Sequence, residues 1–542
     1  MTGQRILSML VSLVCLAVIV LLSCWVRIVN LQESLWLDEL HTSWSVSGNL
    51  VEVAARAADG NQAPLYYWAE WQILQFLGQH EYSLRMISLL AGISLVPVVA
   101  WLVWRGTNSV IAGLVAALLV AIDPDLIFLS LEARPYALVS LIGLLQLAAF
   151  ARLLLGLARE QAGAVNEKLA TQVEPMIQPA LWPLRLCFAG LTVTLFYLHY
   201  TTILILFAEV LLWAVAQLIH PVRIRYSITK FSADLLIVGV CCLPALPHLL
   251  DIAARKDDWS SIARTSPINP AFLRMLAAYA IPVSAVSLIW IFARGCVYDK
   301  TKWQFKPLSR VAIFGLGFLI LFAAVWLTTK YQLAALLLPR YITVVFVAPL
   351  AAAGLSIGLF RNPWLQATLA VSIVAVAFSV NYWFNPWFRM SVRIAAVLPM
   401  HSDENWRSAV GEINFQNHAG RETIFLMSAL VEDHRLANTH ENEPPDEQFV
   451  EYCKFPLQGI YRVSPERFEI IPLPSAPFTG EFADNLLTQV ENQGGGWIVS
   501  RDPRVARDVY VHLQSLIELR GFHITIQPKT FGNLITLQLK RR

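Results

Sequence analysis

A succession of apolar stretches, each about as long as a bilayer is thick, constrains this chain more than any other feature. A helix needs about 20 mostly apolar residues to cross the hydrocarbon, and it satisfies all its backbone polar groups internally on the way. Eleven stretches meet or approach that requirement: residues 6–28, 84–104, 109–128, 135–157, 183–198, 201–219, 233–250, 271–293, 311–329, 341–360 and 364–384. The first is too long for a cleaved signal peptide and reads as an uncleaved span. The expected fold is a polytopic α-helical membrane protein of about eleven spans.

The charges divide the chain. Only 15% of the 542 residues are charged, against about 25% in ordinary soluble domains. From His401 onward the share rises to about 23%, and before it the share is about 12%. We therefore expect a transmembrane domain over residues 1–389 and a soluble α/β domain over 390–542. A net charge of +3 gives no reason to expect nucleic acid as a partner.

Lys and Arg in the short loops set the orientation. With the N-terminus in the cytoplasm, the inner loops carry Arg105, Arg159, Lys168, Arg223, Arg225, Lys230, Lys300, Lys302, Lys306, Arg310 and Arg361. An odd number of spans then puts the C-terminal domain outside. The first outer loop, 29–83, has the amphipathic, Trp-rich character of interfacial helices.

In the C-terminal domain, Glu404–His418 reads as a helix capped by Ser402 or Asp403, and Arg504–Leu519 as another. Glu422–Met427, Gly496–Ser500, His523–Gln527 and Leu534–Leu539 read as strands. The Gly494-Gly495-Gly496 run lacks the context of a nucleotide loop and reads as a turn. The seven cysteines show no CxxC spacing and read as small buried hydrophobes.

Ionisable groups near a membrane are expensive and point to function. Here they gather at outer helix ends. Asp38 and Glu39 are adjacent, and neighbours on a helix point about 100° apart, so one faces any given site. Asp59, Gln62 and Tyr66 lie in a polar turn running into Pro64 and aromatics, followed by Arg85 and Ser88. These read equally well as membrane-surface anchors, and Arg85 as a snorkelling side chain. Glu132-Ala133-Arg134-Pro135-Tyr136 and Pro339-Arg340-Tyr341 both place an arginine at a helix start, where the dipole favours a phosphate. The plainer account of each arginine is an ion pair with Glu132 or Asp38. His199, between two spans, reads as a buried, satisfied histidine.

In this order, the segments resemble the GT-C superfamily of polytopic glycosyltransferases, in particular protein O-mannosyltransferases, lipid A aminoarabinose transferases and dolichyl-phosphate-mannose-transferase-like bacterial proteins. The resemblance covers roughly residues 5–385 and is carried by Asp38-Glu39, Ala63-Pro64-Leu65-Tyr66-Tyr67, Arg85 with Ser88, Glu132–Tyr136 and Pro339-Arg340-Tyr341. Asn405–Ala409 also resembles bacterial members. The resemblance implies transfer of a sugar from a polyprenyl phosphate to an acceptor at the outer face of the plasma membrane, with inversion. It makes Asp38 the base, and it gives Glu39 the task of supporting Asp38 or holding a divalent ion. Arg134, Tyr136, Arg340 and Tyr341 would bind the donor phosphate, with the prenyl chain in grooves among the helices. The chain departs from related members at Gln62, where they carry His-Pro-Pro-Leu or a Glu-containing motif. Asp59 is the nearby substitute.

Two other classes compete. A transporter or lipid flippase typically shows internal repeats and polar groups near the midplane, whereas these charges lie at outer helix ends. A non-catalytic envelope assembly protein would leave the arginines unexplained.

Overall fold

The computed structural model describes residues 3–155, 181–219, 226–255, 270–295, 306–331, 343–394, 404–416, 420–428, 436, 447–474 and 480–542. The chain divides into two compact units. The first comprises Met1–Val29, Gln62–Tyr66 and Ile87–Leu398; the second comprises Asn30–Asn61, Tyr67–Met86 and Pro399–Arg542.

The first unit is helical among its described residues. Eight helices are long and apolar enough to cross a membrane, and a bent pair makes a ninth candidate. Trp182–Leu198 and Phe346–Ile357 are shorter apolar helices. These elements correspond to the eleven stretches expected from hydropathy. The first helix, α1 (Gly3–Ile28), turns almost all of its apolar surface away from protein, with 6% of its most apolar window buried. That is the surface of a helix solvated by lipid rather than by water.

The bent pair has a local cause. Helix α7 (Val110–Ile122) ends at Asp123, whose Oδ1 accepts the backbone N–H groups of Asp125 and Leu126 at 3.1 Å and so caps α8 (Pro124–Ser130). Pro124 has no N–H to continue the preceding helix, and the two axes meet at 63°. The same Asx-Pro start opens Pro363–Phe384 after Asn362 and Pro503–Arg520 after Asp502.

The second unit holds a five-stranded mixed sheet in the order β2-β1-β3-β5-β4. The strands are β1 (Glu422–Met427), β2 (Phe468–Pro472), β3 (Gly495–Ser500), β4 (Ile524–Phe531) and β5 (Leu534–Arg541). Strand β1 runs parallel to β2 and β3, whereas β5 pairs antiparallel with β3 and β4. Helices Gly480–Gln493 and Pro503–Arg520 bury Leu486, Leu487, Leu513 and Ile517 against Phe425, Ile498 and Leu537. Each such side chain contributes about 1.5–3 kcal/mol on burial.

The helix opening this domain runs Trp406–Phe415 with Asn405 as its cap, starting two residues later than the sequence suggests; Ser402 and Asp403 lie outside the described residues. Helices Glu447–Gln458 and Gly480–Gln493 and strand β2 are additional to the expected elements. Strand β2 ends in Pro472, which only an edge strand tolerates. Gly494, at φ +82°, makes the expected turn into β3. Among the described cysteines only Cys453 is buried; Cys15, Cys187 and Cys241 are exposed on membrane helices, contrary to expectation.

The same unit takes in the segment between the first two spans: α2 (Leu37–Ser45), α3 (Leu50–Asp59), most of α4 (Pro64–Leu77), and α5 (Glu81–Leu84). Leu37 and Trp44 of α2 share a hydrophobic cluster with Phe449, Tyr452, Cys453 and Phe455 of the helix Glu447–Gln458.

Candidate active site

Asp38 and Glu39 occupy the first turn of α2, where the helix dipole favours carboxylates by about 0.3–1 kcal/mol. Their surroundings differ. Glu39 is fully buried and Asp38 is half-buried. Arg85 grips Glu39 bidentately, with Nε donating to Oε1 at 2.7 Å and Nη2 to Oε2 at 2.5 Å. The remaining guanidinium nitrogen donates to the carbonyls of Leu31 and Glu33 at 3.0 and 2.9 Å. Burial alone lowers the Arg85 pKa, but the Glu39 carboxylate more than offsets this and the net direction is upward. Arg85 is therefore no snorkelling residue. It is the buried partner that fixes Glu39 and ties down the strand of chain entering α2.

Three other carboxylates frame this segment. Glu404 Oε2 accepts the Leu37 N–H at 2.9 Å and the Trp406 indole N–H at 3.0 Å, while its Oε1 pairs with Arg501 at 2.6 Å. Glu81 takes Arg407 at 2.5 and 3.0 Å and the Tyr461 hydroxyl at 3.1 Å, and that hydroxyl in turn accepts the Leu35 N–H at 2.8 Å. Burial pushes the Tyr461 phenol up to about 12, so it stays a donor. Asp59 accepts from the Gln448 side chain at 2.8 Å.

In the membrane unit, a second network joins Tyr66, Ser88 and Arg134. The Tyr66 hydroxyl lies 3.2 Å from Ser88 Oγ, and Ser88 donates to the Arg134 carbonyl at 2.7 Å. Ser88 has one hydroxyl proton, so the Tyr66 hydroxyl is the donor to it. The Arg134 N–H closes back on the Glu132 carbonyl at 2.7 Å, a three-residue turn that sets Pro135 just ahead of α9 (Tyr136–Leu155). Glu132, Arg134 and Tyr136 are all buried. The Tyr136 ring lies 5.7 Å from that of His199, whose Nδ1 pairs with Thr201 Oγ1 at 2.7 Å; His199 is buried and satisfied, as expected. Gln62 is half-buried just ahead of α4. Arg340 and Tyr341 lie outside the described residues.

Several polar residues here carried no weight in the sequence. Arg27 is fully buried and donates to Ser23, to Ser130 and to the carbonyls of Val120 and Ala121. Tyr279 donates to Asp123 at 2.8 Å, and Arg274 pairs with Asp125. The Asp123-Pro124-Asp125 interruption of an apolar run was the available signal for the last two pairs.

No group of three His, Cys, Asp or Glu side chains among the described residues could hold a metal ion, and both Glu39 oxygens are committed to Arg85.

No protein-family model and no curated protein matches the sequence. Among solved structures, the chain is similar to ArnT from Cupriavidus metallidurans bound to undecaprenyl phosphate, at 13% identity and a TM-score of 0.45, covering 99% of this chain and 98% of that one. The apo form of the same protein gives 11% identity and 0.44 over the same coverage. The archaeal oligosaccharyltransferase AglB from Archaeoglobus fulgidus, in complex with an inhibitory peptide and a dolichol-phosphate, is similar at 12% identity and 0.41, over 96% of this chain and 74% of that one.

Proposed function

We propose that this protein is a membrane glycosyltransferase that moves a sugar from a polyprenyl-phosphate carrier to an acceptor hydroxyl, at the outer face of the plasma membrane. The observation that carries this reading is the division of labour between two adjacent carboxylates. Glu39 is locked by Arg85, whereas Asp38 is half-buried one residue earlier in the same helical turn. A base must be reachable by the proton it takes, and Asp38 meets that condition where Glu39 does not.

Asp38 removes the proton from the acceptor hydroxyl as its oxygen forms a bond to the anomeric carbon. The bond from that carbon to the phosphate oxygen breaks, and polyprenyl phosphate leaves with the electron pair. Attack opposite the leaving group inverts the configuration. Arg134 and Arg340, with Tyr136 and Tyr341, bind the phosphate and stabilise the charge it gains. Glu39 supports Asp38 through its bond to Arg85. The positive loops support an N-terminus in the cytoplasm and a C-terminal domain outside.

The test is release of polyprenyl phosphate from polyprenyl-phosphate monosaccharides by the purified full chain. Asp38→Asn is expected to lower turnover by about 10²–10⁴-fold while donor binding persists. Arg134→Ala is expected to weaken donor binding. A folded protein that binds no such donor would refute the reading.

A further inference from the structure

At the end of the membrane unit away from Ser88 and Tyr136 lies a cavity of about 240 Å³. It is walled by α6 (Met86–Thr107), α9 and the helices Lys306–Lys330 and Thr343–Ile357. Its wall is mostly apolar, with Leu144, Phe314 and Leu355 from three of these helices. Three arginines line it as well: Arg105, Arg152 and Arg310. No acidic residue is among the residues that line it.

Arg105 and Arg152 make no ion pair among the described residues, and both are exposed. Arg310 is half-buried and anchored by donating to the Gly106 carbonyl. Arg105 and Arg152 each stand in the last turn of a helix, where the dipole favours a cation. That explains why an arginine is tolerated at each place. It does not explain why three of them, from three helices, converge on one apolar cavity. Along α6 from Ser88 to Arg105, and along α9 from Tyr136 to Arg152, the rise is about 25 Å. The cavity therefore lies near the opposite boundary of the hydrocarbon from the Tyr66–Ser88–Arg134 network.

We propose that this cavity binds an anionic phospholipid of the surrounding leaflet. The headgroup phosphate engages Arg105, Arg152 and Arg310, and the start of one acyl chain lies against Leu144, Phe314 and Leu355. Charge complementarity selects the occupant, since arginines at a membrane surface hold anionic headgroups and pair with phosphate bidentately. The apolar wall selects a lipid over a free anion.

The experiment is native mass spectrometry of the full chain in neutral detergent, titrated with phosphatidylglycerol or phosphatidylcholine. The parent is expected to bind one phosphatidylglycerol at least tenfold more tightly than phosphatidylcholine. R105Q/R152Q, at two exposed positions, is expected to lose that preference. L144W keeps the charges but fills the wall, and it is expected to weaken phosphatidylglycerol binding too. R361Q, an exposed arginine that does not line the cavity, is expected to behave like the parent. Equal binding of the two lipids by the parent, or parent-like binding by R105Q/R152Q, would overturn the proposal. Displacement of the lipid by millimolar inorganic phosphate would assign the arginines to a free anion and overturn it as well.

Discussion

Glu404 accepts the backbone N–H of Leu37 at 2.9 Å, so a carboxylate contributed from the far end of the sequence caps the helix that carries Asp38. The first N–H groups of a helix have no partner within it, and Glu404 supplies one while held in place by Arg501 and Trp406. The C-terminal domain thus has a definite task in the second unit: it fixes the start of α2.

Glu404→Ala is accordingly expected to destabilise the second unit by about 1–3 kcal/mol, the usual penalty for stranding a buried polar group. Small displacements of a catalytic group cost up to about a hundredfold in rate. Turnover is therefore expected to fall by more than tenfold with donor affinity unchanged. Thermal unfolding and steady-state kinetics of the purified protein check both. Glu404→Gln keeps one acceptor oxygen and is expected to be milder on both counts.

The Arg85–Glu39 pair makes a different prediction. Both side chains are fully buried, and removing one partner of such a pair leaves an uncompensated charge, costing about 3–5 kcal/mol. Arg85→Ala and Glu39→Ala are each expected to be severely destabilised, and the double variant less so than the sum of the two. Arg85→Lys is expected to rescue little, because an ammonium cannot reproduce the two-pronged grip or reach both backbone carbonyls at once. Thermal unfolding of all four variants measures the coupling.

The membrane architecture was legible because apolar runs of span length leave a chain few alternatives; the bend after Ile122, which Asp123-Pro124 signals, is not among the expectations above. The motif residues were legible as types and not as partners. Nothing local distinguishes Glu39 from Asp38; the difference comes from Arg85, 46 positions away. Glu404 was read only as the first residue of a helix, since its role depends on a long-range approach to Leu37. The helix Gly480–Gln493 carries the 3.6-residue apolar spacing in Ala483, Leu486, Leu487 and Val490 and so was legible, although it is not among the elements expected above. Strand β2 is short, lies at the edge, and has partly exposed residues.

Glu81 gives a pH dependence with a fixed sign. Burial would raise its carboxyl pKa, but its own backbone N–H, Arg407 and Tyr461 stabilise the anion, and the net direction is below the ordinary 4.5. A carboxyl depressed in the folded state stabilises it above the unfolded pKa, and that stabilisation is lost as pH falls through the folded value. The melting temperature is therefore expected to drop on acidification below about pH 4.5. Glu81→Gln is expected to be less stable at neutral pH and to show a shallower acid limb. An identical acid limb in both proteins would remove Glu81 as its source.

Gly60 is held by space rather than by backbone conformation. Its φ of −88° is open to any residue, but a Cβ there would overlap the His41 ring. That ring is buried, with the rings of Trp44, Tyr67 and Tyr452 5.9, 6.3 and 5.2 Å away. It therefore has little room to retreat. Overpacking of this kind typically costs about 1–3 kcal/mol, so Gly60→Ala is expected to lower the melting temperature. Because His41 and Asp38 are three apart on one helical face, a shift of the imidazole also disturbs the first turn of α2, and turnover is expected to fall with stability. The same substitution in a His41→Ala background meets no ring. There its cost is expected to shrink toward zero, and an undiminished cost would show that Gly60 is constrained by something other than His41.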